Sequence, residues 1–93
     1  MILEEIEGLE NILKINSIDD YPQIEEMLAP AAETVIAESV GAAWVEDNAN
    51  DPAVKQLFCA LVATWFDRPE MLGELTPGCN FLISQLQARA LEG

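Results

Sequence analysis

Apolar residues recur along this chain at the helical period. Ile2, Ile6, Leu9 and Leu13 fall at i, i+4, i+7 and i+11, a single face of a helix, and predict a first helix over roughly Leu3–Leu13. Glu4, Glu5 and Glu7 lie off that stripe, where acids of a first turn suit the helix dipole. Gly8 weakens the pattern by about 1 kcal/mol relative to alanine. Asn16–Asp20 reads as a turn and N-cap. A second helix is predicted from about Tyr21 to Val40. Its buried stripe is Ile24, Leu28, Ala31 and Val35, with Met27 beside it and Glu26 and Glu33 on the opposite face. Gly41 ends it. Pro30 removes one backbone bond and clashes with the preceding turn, which predicts a kink or restart near Ala29.

Ala42–Asn50 reads as a polar, turn-forming loop held by Trp44 and Val45. Trp44 reads first as packing at the edge of the core and second as a protein contact, since tryptophan is enriched at interface hot spots. The third helix has the clearest start: Asp51 as N-cap and Pro52 at the first helical position, where proline loses no hydrogen bond. It runs through Val54, Leu57, Phe58, Leu61 and Val62 to Trp65-Phe66-Asp67-Arg68, and Pro69 stops it. Gln56, Thr64 and Asp67 make a narrow polar sector. A helix this apolar is central in its bundle or covered on a second side, and the excess is expected to be shared with neighbouring subunits. A last helix from about Gly78 to Leu91 carries Cys79, Leu82, Ile83, Leu86 and Ala90 on one face. The predicted fold is all-α: one domain over residues 1–93, a small bundle of about four helices, with room for a short extended piece at Met71–Thr76.

Charge changes the picture of the surface. The chain has 17 acidic residues, four basic ones and no histidine, a net charge of −13. Twelve of the acids lie at or before Asp47 against a single base, Lys14, so the N-terminal half is the negative surface. This argues against ordinary nucleic-acid binding, which needs Lys and Arg on phosphates, and against docking on anionic membranes. It favours a basic partner, or a surface that repels polyanions. No apolar run reaches the length of a membrane span. The acidic start, Met1-Ile2-Leu3-Glu4-Glu5, does not read as a signal peptide.

The reactive inventory is thin, and the expectation is a non-enzymatic protein with no catalytic, cofactor or metal site. Histidine, the usual general base and commonest metal ligand, is missing. Cys59 and Cys79 have no metal-like spacing and read as buried, reduced small hydrophobes. The pairs Glu4-Glu5, Asp19-Asp20, Glu25-Glu26 and Glu46-Asp47 are sequence neighbours, which do not face each other on a helix. Asp47–Asp51 is oxygen-rich but lacks the spacing, glycine and final glutamate of an EF-hand loop. Ser17 prompts comparison with the modified serine of acyl carrier proteins, but Asn16 stands where those have aspartate and the serine comes after only one short helix. Ser17 reads as a turn cap.

The order of these motifs resembles the small head–tail connector proteins of long-tailed double-stranded-DNA phages, also described as adaptor or DNA-packaging proteins and common in prophages. Three anchors carry the resemblance. The first is the Leu3-Glu4-Glu5 helix leading to Leu13-Lys14-Ile15 and Asp19-Asp20. The second is the small-residue helix from Ala31-Ala32 to Val40-Gly41. The third is Asp51-Pro52-Ala53-Val54-Lys55-Gln56, continuing through Leu61-Val62-Ala63 to Trp65-Phe66-Asp67-Arg68 and Glu70. Pro30, Pro69 and the short connection before the last helix depart from the family pattern. The resemblance implies a homo-oligomeric ring, a dodecamer where it sits on the portal, that joins portal to head-completion or tail proteins. DNA passes through such a ring without sequence-specific binding. It also implies a place at the head–tail junction of the virion, after assembly in the host cytoplasm. Under it, Leu57, Leu61, Trp65, Phe66 and Arg68 are the family signature. Glu4, Glu5, Glu25, Glu26 and Glu33 are the acids expected to face the channel or a partner, and Trp44 is a candidate interface residue. The alternative is a small acidic protein-binding module of the inhibitor or DNA-mimic type.

Overall fold

Apart from Met1, Gly93 and the Glu4 side chain, which lie outside the described residues, every segment has a place in the computed structural model. Five α-helices run in order: α1 (Leu9–Leu13), α2 (Ala29–Val40), α3 (Ala42–Asp47), α4 (Pro52–Asp67) and α5 (Pro77–Glu92). Short 3-10 turns lie at Ile2–Glu5, Ile18–Asp20 and Pro69–Met71, and a π-helical turn at Ile24–Leu28. The chain is all-α and has no strand among the described residues, so the extended piece allowed at Met71–Thr76 is not formed.

Helix α4 is the hub. Asp51 caps it, Oδ1 accepting the Ala53 N–H at 2.8 Å. Its Val54, Leu57, Phe58, Leu61, Val62 and Trp65 are all buried, each such burial contributing about 1.5–3 kcal/mol. The N-terminal 3-10 turn, α1, the π turn, α2 and α5 pack around it. The apolar stripe read from the sequence is therefore covered within the chain. Trp65 is 0% exposed, and its Nε1–H donates to the Glu74 carbonyl at 3.0 Å. Phe66 is half-buried and meets Tyr21 edge-on, with ring centroids 5.2 Å apart.

Three expectations are corrected by local backbone chemistry. The predicted Leu3–Leu13 helix is two pieces, because Gly8 takes a left-handed φ of 73° and starts α1 afresh. Ile2 and Leu9 are buried on either side of this break, while Ile6 and Leu13 are half-buried. The disruption expected from Pro30 takes the form of the π turn, in which the Ala29 N–H bonds to the Ile24 carbonyl. A turn closed from i to i+5 holds one extra residue and rotates the helix beyond it. The buried positions of α2 are therefore Ala29, Ala32 and Ile36, with Ala31 and Val35 half-buried and Met27 left 52% exposed. The predicted Ala42–Asn50 loop contains α3, which begins directly after Gly41 and buries Val45.

Helix α5 starts one residue earlier than predicted, with Pro77 at its first position. Thr76 holds that start, Oγ1 accepting the Cys79 N–H at 3.2 Å. Cys79, Ile83 and Leu86 are buried, and Leu82 and Ala90 are half-buried.

Candidate functional site

Of the acids expected to face a channel or partner, Glu5, Glu25 and Glu26 are exposed. Glu25 and Glu26 sit on the π turn, whose buried Ile24 and Leu28 hold that segment to the core. The Glu4 side chain lies outside the described residues. Glu33 departs from the expectation. The rotation imposed by the π turn brings it inward, where one carboxylate oxygen accepts the Ile2 N–H. The other oxygen is buried with no partner among the described residues. Glu33 thus fastens the N-terminal 3-10 turn to α2 instead of projecting into solvent.

Trp44 is half-buried, and its ring is covered by the Arg89 guanidinium, 5.6 Å from the ring centroid. Arg89 in turn grips both carboxylate oxygens of Asp51, at 3.1 and 2.6 Å. This cluster ties α3, the cap of α4 and the end of α5 together. A cation over tryptophan and a bidentate carboxylate are each recognisable interactions. Nothing in the sequence pairs residues 38 positions apart, and Arg89 was not legible as their partner.

The hydrogen bonds from Arg89 hold the Asp51 carboxyl below its ordinary value of 3.8, against partial desolvation that pushes it up; the Ala53 N–H also lowers it. The folded carboxyl titrates below the unfolded one, so its stabilisation is complete above pH 3.8 and drains away as the pH falls through the lower folded value. Asparagine still caps a helix but loses the ion pair. Urea melts of Asp51→Asn should therefore show a deficit against the parent at about pH 7 that shrinks as the pH falls below 3.8. A deficit of unchanged size throughout that descent would exclude the ion pair as its origin.

Of the signature residues, Leu57, Leu61 and Trp65 are core, Phe66 is half-buried and Arg68 is exposed at the end of α4, without an ion pair among the described residues. Ser17 caps its 3-10 turn, Oγ accepting the Asp19 N–H at 3.2 Å. Cys59 is half-buried, and desolvation pushes its thiol up against the opposing pull of Lys55. No group of three or more metal-ligating side chains gathers among the described residues. Among the same residues, no helix is long and apolar enough to cross a membrane.

Apolar side chains left outside the core fall in separate places. Met27 and Leu72 are exposed beside a groove of about 130 Å³ floored by Leu28, Trp65 and Phe66. Phe81 is 64% exposed at the mouth of a second groove, between α4 and α5, of about 530 Å³. No protein-family model, curated protein or solved structure matches the chain.

Proposed function

We propose that this protein is a structural adaptor that assembles as a ring between a phage portal and the head-completion or tail proteins, continuing the DNA channel. The observation that carries the reading is the pairing of two apolar patches, at Met27/Leu72 and at Phe81, on a subunit whose core is already closed. The two grooves share no lining residue. A subunit with two different sticky patches is built for heterologous contact, which closes into a ring when the rotation permits. The order of motifs from Asp51 to Glu70 adds the phage connector context.

In this reading the exposed acids of the N-terminal half, Glu5, Glu25 and Glu26 among them, face the channel or basic portal surfaces. Like charge keeps passing duplex from adhering. The ring is a dodecamer on the portal, and the adaptor itself carries no catalytic group. Negative-stain microscopy of the concentrated protein tests this, with discrete rings around a central opening as the expected image. A protein that stays strictly monomeric at every concentration would sink the adaptor reading and leave the acidic binding module in its place.

A further inference from the structure

We infer that copies of this chain meet through the α4–α5 seam, a charge-free face centred on Phe81. The inference deepens the ring proposal and rests on it. On a chain of net charge −13, two copies repel each other over most approaches, so the electrostatic map selects the contact. From Pro77 to Ala88, α5 carries no charged residue, and neither does α4 from Gln56 to Phe66. Charge depletion with an aromatic at the centre is the composition of an interface core.

These two stretches are brought together in space. The groove between the helices, about 530 Å³, is lined by Gln56, Ala60 and Thr64 from α4 and by Phe81, Leu82 and Gln85 from α5, with Thr76, Gly78 and Cys79 at its end. Every lining side chain is neutral. Asn80, Phe81, Ser84, Gln85 and Ala88 are exposed along α5, offering amide donors and acceptors around one aromatic anchor. The other openings in the surface contrast with this one. One of about 720 Å³ holds Glu5, Glu7 and Lys55, another holds Glu33 and Glu46, and a third, which shares Thr64 and Thr76 with the seam, holds Asp67 and Arg68. The Met27 groove is neutral within, but the acids Glu26, Asp67 and Glu70 and the base Arg68, all exposed, are immediate chain neighbours of its lining residues, whereas the one charged chain neighbour of the seam's lining is the half-buried base Lys55. A second acidic copy therefore approaches the α4–α5 seam with the least repulsion, and Phe81 supplies the apolar area that holds it.

Sedimentation equilibrium of the full chain tests this with three variants. Asn80→Asp combined with Gln85→Glu places charge on the face and changes almost no volume. An acid at position 80 also lies near the start of α5, where the helix dipole favours it, so the fold is retained. Phe81→Glu replaces the anchor at a residue that contributes little to the core. Leu91→Glu puts charge on an exposed apolar residue that lines neither groove, as a control. The expected result is self-association by the parent that weakens about tenfold or more in the first two variants and little in Leu91→Glu, with unchanged circular dichroism in all. Undiminished association by the Asn80/Gln85 and Phe81 variants would overturn this face while leaving the ring proposal intact. A parent chain that never associates would overturn both.

Discussion

Trp65→Ala should cost about 3–5 kcal/mol, the largest loss of any single truncation here. A 93-residue domain has about 5–14 kcal/mol in all, so the variant sits at or near the edge of folding. The size of the effect comes from position. Trp65 is fully buried on the hub helix, and its indole N–H reaches the Glu74 carbonyl beyond the end of that helix. Truncation therefore opens the largest cavity available in this core and also releases the 3-10 turn and the connection to α5. Urea unfolding monitored by circular dichroism measures it. A Trp65→Ala protein that unfolds like the parent but fails to associate would place the residue in an interface and contradict the described packing. Trp65→Phe, which keeps a ring but loses the donor, should fall between the two.

Leu9→Ala should cost about 2–5 kcal/mol, although it lies on a five-residue helix too short to be stable alone. Helix α1 exists because Leu9, 1% exposed, plugs into the core against α4. The same docking holds the acidic N-terminal segment in place, together with Ile2 and the Glu33 contact. Ile12, three residues on and 48% exposed, supplies the internal comparison: Ile12→Ala should change stability by no more than about 0.5 kcal/mol. Equal, small effects from both would mean that the N-terminal segment is not anchored as described. Native-state hydrogen exchange would show the Leu9 effect as loss of protection that begins in α1.

The sequence was most legible where structure is decided within a few residues. Asp51 and Pro52 announce α4 locally, and the stripe from Val54 to Trp65 is buried as its spacing requires. The all-α class came from the same periodicity. What escaped depends on backbone detail or on distant partners. Helix α3 has no capping side chain, since Gly41 stands before it, and six residues make a helix only because Val45 finds the core. The helix restarts at Ala29 as Pro30 predicts, but through a π turn, and the buried face of α2 is therefore shifted by one position. That shift is also why Glu33, placed by periodicity on the outer face, turns in to meet Ile2. Arg89 reads as an ordinary basic residue at a helix end. Its grip on Asp51 and Trp44 is created only when α5 folds back across the cap of α4. The neutrality of the α4–α5 seam was present in the sequence as two uncharged stretches, but only the packing of the two helices makes them one surface.

Light scattering coupled to size exclusion tests the ring most directly, run at rising protein concentration and at about 1 M salt. At that ionic strength the Debye length is about 3 Å, so the repulsion between chains of net charge −13 is largely screened. The expected result is a species whose mass is a fixed whole multiple of 10.2 kDa and stops growing with concentration, as a closed ring must. A mass of 10.2 kDa at every concentration and salt, or a mass that climbs without a plateau, would contradict the ring.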